Sequence, residues 1–473
     1  MLARLSDRLA AFFRATAPDP FVIAVLLTLA TIGLALARTD AALPEILRAW
    51  AGMGANDPTR LTGSGVWSLL GFAMQMCLVL VTGHVLASSA PVAWALSKLA
   101  ALPRSGAQGA ALVAGVSVAL GSLHWGLGLI GGAFAARRVG QSLASRGIAA
   151  HYPLLAACGY LCMMIWHGGF SGTAPLSAST RAGLVTSLGA AAAESIDPIP
   201  LSRTLFGTLN LVVTGGLIVI VPLLAALLHP RAGATVQGVE RFAPERQPEA
   251  PPANADDRPG LIPRVLENTP AVNIVLAAMI GWWAWRYYLP GTGQRSGIHS
   301  LSLDALNLTM LMLGLLLHAT PRRFIAAVED AAGGCAGIII QFPLYAGIMG
   351  IMRDTGLAAD LADSIAASSS ATTLPLFTFL AAGVVNLFVP SGGGQWAIQG
   401  PIALDAARSL GVAPEKMVMA IAYGDQITNM LQPFWALPLL AITGVKARDI
   451  IGYTALVMVA GMVWIGVWLV VLG

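Results

Sequence analysis

Apolar stretches long enough to cross a bilayer recur along this chain from Pro20 to its C-terminus. In lipid, a backbone amide or carbonyl must find its partner inside the protein, so such stretches can only be helices that close their own hydrogen bonds. The chain is 473 residues long, with 56% hydrophobic and 11% charged residues. A soluble protein carries about 25% charged residues, so an ordinary water-soluble enzyme is excluded. The length holds roughly nine to twelve spans with their loops. A net charge of +4, with basic residues in short clusters between apolar segments, points to topology signals rather than nucleic-acid binding. Glycine is abundant, 52 residues, and it falls in runs inside apolar segments. Such runs mark broken or closely packed helices. Cys158 and Cys162 share a helical face but have no metal-ligand spacing, and read as packing residues.

Arg4, Arg8 and Arg14 precede a first span at Pro20 to Arg38 and place the N-terminus in the cytoplasm. A second span, about Ser64 to Ala87, returns inside. The stretch Gln108 to Leu120 reaches only about 20 Å and is too short for a hydrocarbon core of about 30 Å. It breaks at Ser122, Leu123, His124, Trp125 and Gly126 and returns to Arg137 and Arg138, which reads as a re-entrant hairpin over residues 108–136. A long apolar segment, 152–188, is interrupted from Trp166 to Pro175 and reads as one discontinuous span. The first membrane repeat is thus 1–228. A flexible cytoplasmic linker follows at 229–268, with seven prolines and eleven charges.

Residues 269–473 hold a connecting span and a second repeat, with spans at about Leu303 to His318 and Gly333 to Met352, a hairpin at 374–407 broken at Pro390 to Gln395, and a broken helix at 416–443. Ser409-Leu-Gly-Val-Ala413 matches Ser145-Arg-Gly-Ile-Ala149. Nine full crossings leave the C-terminus external. The fold class is all-α and polytopic: two inverted-topology repeats, each with a re-entrant hairpin and a discontinuous transmembrane helix, the plan of a secondary transporter.

Half-helix N-termini suit an anionic substrate group, and carbonyl ends suit Na+ or a proton donor. Four clusters supply such ends: Ser122, His124, Trp125 and Gly126; His167, Gly168, Gly169, Ser171 and Thr173; Ser391, Gly392, Gly393, Gly394, Gln395 and Trp396; and Asp425, Gln426, Thr428 and Asn429. Tight helix packing would explain the glycines alone, but not the hydroxyls, amides and charges gathered with them. A carboxylate in mid-span costs about 2.5 to 3.5 kcal/mol, so Asp425 needs a coupling cation, a proton or a histidine, unless it caps a half-helix. A candidate Na+ position lies near Ser391, Asp425 and Asn429. His124 and His167 could carry a proton with the substrate or simply bridge helices, while His84 and His318 sit at span ends. Trp125, Trp166, Trp396, Phe434 and Trp435 would line a small apolar pocket or join an interfacial belt. Beyond H+ or Na+, no cofactor is implied.

The string Val389-Pro-Ser-Gly-Gly-Gly-Gln-Trp-Ala-Ile-Gln-Gly-Pro401, followed by Gly424-Asp-Gln426 and Asn429-Met-Leu-Gln-Pro-Phe-Trp-Ala-Leu-Pro438, resembles the bacterial short-chain fatty acid transporter family. His124-Trp-Gly-Leu-Gly128 and Trp166-His-Gly-Gly-Phe-Ser-Gly172 fit it as well. Ile427 departs from the pattern, where an aromatic residue is expected. The resemblance implies uptake of butyrate- or acetoacetate-like carboxylates across the cytoplasmic membrane, kinship with the ion transporter superfamily, a homodimer, and a hairpin-bearing transport domain that moves past a scaffold. It carries Ser391, Gly392, Gly393, Gly394, Gln395, Asp425, Thr428 and Asn429 over as site residues. Two other readings stay open. Gly169-Phe-Ser-Gly172 fits the short G-x-S-G pattern of intramembrane serine proteases, with Ser171 as nucleophile. The same fold could also carry another small anion or exchange Na+ for H+.

Overall fold

The computed structural model describes residues 18–54, 57, 60–188, 194, 196–230, 236–242, 260–289, 303–360 and 369–472. Arg4, Arg8 and Arg14 lie outside them. Twenty α-helices and no named strand occur among these residues. The first half comprises α1 (Pro20–Arg38), α2 (Leu43–Ala51), α3 (Leu70–Ser88), α4 (Ala90–Ala100), α5 (Gly106–Leu123), α6 (Trp125–Ser145), α7 (Tyr152–Tyr160), α8 (Thr173–Ala178), α9 (Arg181–Leu188) and α10 (Thr208–Leu228). The second comprises α11 (Leu261–Asn268), α12 (Ala271–Tyr288), α13 (Leu303–His318), α14 (Pro321–Ala332), α15 (Ala336–Asp354), α16 (Leu374–Phe388), α17 (Gly392–Leu410), α18 (Pro414–Thr428), α19 (Pro433–Thr443) and α20 (Ala447–Val471).

Seven helical stretches among the described residues are long and apolar enough to cross a membrane, eight if α11 and α12, bent by 48°, form one span. Their burial sorts them. The stretch Tyr152–Ala178 is 89% buried, against 17% for α1 and 28% for α20. A helix buried all round is central, and one with a wide apolar exposed face borders lipid. Leu26 and Leu29 of α1, Leu223 and Leu227 of α10, Met279 and Trp282 of α12, and Val463 and Val467 of α20 form that outer surface. At the centre, the turns that follow α7 meet α18, in which every residue from Met417 to Thr428 is buried.

Backbones approach closely where side chains are absent. A Cβ on Gly159 would stand 2.6 Å from the Gly132 carbonyl oxygen, so α6 and α7 touch main chain to main chain. The helices before the two broken elements end alike. Gly147 and Gly411 have φ of +67° and +69°, where glycine carries no steric penalty. In each case the following amide, Ile148 or Val412, reaches back five residues, to Leu143 or Ala407.

Helix lengths differ from the sequence reading at two places. The first hairpin arm does not stop at Leu120: α5 runs 18 residues to Leu123, about 27 Å, and its backbone bonding continues to the His124 amide, which donates to the Leu120 carbonyl. The second is α18, which continues through Gly424–Thr428 and breaks only at Asn429. Part of the stretch read as linker is docked. The Gln237 carbonyl accepts from the Tyr152 amide at 2.8 Å, its amide donates to His151 Nδ1 at 3.2 Å, and Phe242 packs on Tyr152.

Candidate functional site

Two interrupted helices cross at the centre, and their freed backbone groups are met by side chains from neighbours. After Tyr160 the first passes into 3₁₀ turns at Leu161–Met164 and Trp166–Gly168. Ser117 of α5 bridges the transition, its hydroxyl accepting from the Cys162 amide at 3.0 Å and donating to the Gly159 carbonyl at 2.7 Å. The second interruption, Asn429–Leu431 and Gln432, is satisfied from outside: Tyr160 donates to the Asn429 carbonyl (2.8 Å) and the Gln432 carbonyl (3.0 Å), and Thr454 donates to the Met430 carbonyl at 2.6 Å. Each interruption therefore survives in an apolar interior because another helix supplies what its own turn no longer does.

His167 sits on the tighter turn. Its amide and that of Gly168 both donate to Gln426 Oε1, each at 3.1 Å. Its ring Nε2 accepts from the Ala174 amide at 3.0 Å, with the Thr173 hydroxyl at the same distance. An amide can only donate, so Nε2 holds the lone pair and the ring proton sits on Nδ1. Nδ1 lies 2.6 Å from Asp425 Oδ2, and both residues are buried. Trp166 stacks on the imidazole at 4.3 Å between centroids. Asp425 is thus held by a histidine on the facing broken helix. Behind it, the Asn386 side-chain amide of α16 donates to the Asp425 carbonyl (2.7 Å), Thr428 Oγ1 (3.0 Å) and Asn429 Oδ1 (2.9 Å), and Gln432 donates to the Asn386 carbonyl.

The N-terminus of α17 enters this cluster. Ser391 caps it, accepting from the Gly394 amide at 3.2 Å. A Cβ on Gly392 would meet His167 Cε1 at 2.7 Å and Thr173 Oγ1 at 2.7 Å, whereas a Cβ on Gly393 would meet nothing within 4 Å. The amides of Gly392 and Gly393, in the first turn, have no partner among the described residues. The first hairpin tip differs, because its first amides are engaged: Trp125 donates to Ser171 Oγ at 3.1 Å and Gly126 to His124 Nδ1 at 3.1 Å. Gly169 packs against the Ser122 backbone, and the Phe170 amide donates to the Ser122 carbonyl at 2.8 Å.

His167, Gly168, Thr173, Asp425, Gln426 and Gly392 therefore meet directly, and Thr428 and Asn429 join through Asn386. Ser391, Gly393 and Gly394 stand at the tip. Ser122, His124, Trp125, Gly126, Gly169 and Ser171 form a second group at the other tip. Two residues turn away. Gln395 donates to the Ala382 carbonyl and to Gln399, and Trp396 is fully buried in a separate apolar cluster with Ala174 and Ala178. Trp125, Phe434 and Trp435 instead pack with Phe72 and Phe342. Ile427 faces Gly461 in the core rather than a pocket. His84 pairs with Asp330 at 2.9 Å, and His318 lies 2.8 Å from the Val85 carbonyl. The Ser171 hydroxyl is a cap acceptor, and no histidine bonds it among the described residues.

The sequence reading missed Ser117, Tyr160, Asn210, Asn386 and Tyr423. Asn210 is saturated: its amide donates to the Gly168 (2.9 Å) and Leu205 (2.8 Å) carbonyls, and its oxygen accepts from Thr214 (2.7 Å) and Tyr423 (3.0 Å). A 190 Å³ pocket beside it, lined by Phe170, Phe206, Leu211 and Gly215 among others, consequently offers little to an anion. A lone asparagine inside an apolar run was the available signal for Asn210 and Asn386.

A family profile described as "Short chain fatty acid transporter" matches residues 1–472. A protein of Escherichia coli (strain K12) named "Putative short-chain fatty acid transporter" is 36% identical over 461 residues, covering 96% of each chain. One of the same name from Haemophilus influenzae is 34% identical over 473 residues, covering 99% of this chain and 100% of its own. Among solved structures, the Alcanivorax borkumensis YdaH transporter is similar at a TM-score of 0.45 and 18% identity, over 95% of this chain and 98% of its own. Neisseria gonorrhoeae MtrF follows at 0.32 and 14%, over 97% of each. Neither score reaches 0.5, and neither bears on function. The chain belongs to the short-chain fatty acid transporter family. It is a multi-pass membrane transporter and not an enzyme.

Proposed function

We propose that the chain moves short-chain monocarboxylates of the butyrate and acetoacetate type across the cytoplasmic membrane, coupled to H+ or Na+. The observation that carries this reading is the junction of α17 with the His167–Asp425 pair. Two unpartnered amides at a helix N-terminus suit a carboxylate, through both their hydrogen bonds and the helix dipole. Beside them, Asp425 is the buried group whose charge a coupling ion would offset. The names of the relatives point to the same substrate class.

Proton coupling is favoured by the burial of Asp425, since a proton on its second oxygen, away from the His167 Nδ1–H, would remove the charge that burial penalises. Na+ coupling is favoured by two buried oxygens without a donor among the described residues, Asn386 Oδ1 and Gln432 Oε1, on residues hydrogen-bonded to each other. In this reading the two hairpins and broken helices are inverted repeats on either side of the 229–268 linker. The N-terminus is cytoplasmic, the C-terminus external, and two copies form a dimer. An alkaline phosphatase fused after Gly473 is then active in cells, and an inactive fusion with an active internal control would reverse the assignment.

The decisive experiment is uptake of labelled butyrate into proteoliposomes with a pH gradient and a Na+ gradient imposed separately. Accumulation under one gradient names the coupling ion, and Asp425→Asn reduces that accumulation at least tenfold while the protein remains folded. Full accumulation by the variant would remove Asp425 from coupling. Uptake of no acid in tight, loaded vesicles would reject the substrate class.

A further inference from the structure

Helix α15 is held by one face and leaves another directed at the centre. Gly347 lies against the Trp50 indole, and Gly350 lies against the Ala49 carbonyl and Gly65. These contacts fix the rotation of α15 against α2. A different face carries Tyr345 and Met349, four residues apart and therefore one above the other. Met349 reaches the tip of α17: a Cβ on Gly394 would stand 3.4 Å from Met349 Cε, beside the open space at Gly393. Unlike most of its helix, Met349 is only half-buried. Tyr345 is 1% exposed, edge-on to Phe434 at 4.8 Å, and its hydroxyl has no hydrogen-bond partner among the described residues. An orphaned buried hydroxyl costs about 1 to 3 kcal/mol, and each such group calls for an explanation. The buried indole N–H of Trp435, next to Phe434, is unpartnered too.

We infer that Tyr345 is a substrate-recognition residue that selects acids with a polar oxygen on the third carbon, and that Met349 bounds the alkyl tail. The inference rests on the carboxylate reading above. With the carboxylate on the Gly392 and Gly393 amides, the chain of a four-carbon acid extends past Met349 toward Tyr345, one helical turn or about 6 Å further along α15. A 3-oxo group accepts from the tyrosine hydroxyl, and a plain alkyl chain gives it nothing. A site built to donate to a substrate oxygen rejects the analogue lacking it, because its own polar group is then left unpaired.

The test compares acetoacetate with butyrate in proteoliposomes carrying wild type or Tyr345→Phe. Removing a hydroxyl that bonds nothing in the protein leaves thermal stability equal or raised, so a merely structural role predicts no change in selectivity. Recognition predicts that the acetoacetate-to-butyrate ratio of uptake efficiency falls about tenfold in the variant, which is the fold-change equivalent of about 1.4 kcal/mol. Met349→Ala shifts preference toward hexanoate by lengthening the tail space. An unchanged ratio in folded Tyr345→Phe overturns the assignment, as does an equal loss of both acids with a lowered melting temperature. Transport of neither acid by the wild type would reject the carboxylate reading itself, a result distinguishable from both.

Discussion

At the scale of single residues, the site is held by a few buried amide side chains that each bond several groups at once. Asn210 has four bonds with four partners, and Asn386 gathers three acceptors from one broken helix. Replacing Asn210 by leucine keeps the volume roughly but strands the Gly168 and Leu205 carbonyls and the Tyr423 hydroxyl, at about 1 to 3 kcal/mol for each group left unsatisfied. The variant should melt several degrees lower in detergent, whereas Leu211→Ala, on an exposed face of the same helix, should not. Matching melting curves for the two would show that the network contributes nothing. The sequence made His167 and Asp425 visible because a titratable group in an apolar run is costly and needs a reason. It could not show that they pair, because 258 residues separate them and only packing brings them to 2.6 Å. Gln395 and Trp396 illustrate the converse. Their place in a glycine-rich motif was legible, but the direction of each side chain depends on its turn of α17, and both face α16 or the interior instead of the open tip.

Among the elements, breaks and close approaches were legible in outline because glycine and proline punctuate them. Their positions were not, since a neighbour's hydroxyl can take over the backbone groups that a broken turn frees. Ser117 of α5 bonds both sides of the point where α7 leaves α-helical bonding, at Tyr160, eight residues before Gly168. The contact of α6 with α7 depends on having no side chain at Gly132 and Gly159. Gly159→Leu should separate these helices and abolish a monodisperse elution profile, because the added atoms meet backbone that cannot rotate away, a harsher case than ordinary overpacking at about 1 to 3 kcal/mol. Gly33→Leu, where a Cβ meets nothing within 4 Å, serves as the control and should elute as wild type. Normal elution of both variants would mean that α6 and α7 tolerate separation.

For the whole molecule, the two halves are not independent bodies joined by a linker, since each completes the polar bonding of the other. Tyr152 donates to the Thr443 carbonyl at 3.0 Å, Tyr160 to Asn429 and Gln432, and His167 to Asp425. These donors belong to the first half, and all their acceptors lie between residues 425 and 443. The segment Gln237–Phe242 behaves differently, docking on His151 and Tyr152. This has a consequence for the order in which the chain is made. As it leaves the ribosome, the first half can acquire its strap at once, from residues that follow it directly. Its three central donors must wait in the bilayer, without their partners, until almost the last tenth of the protein has been synthesised.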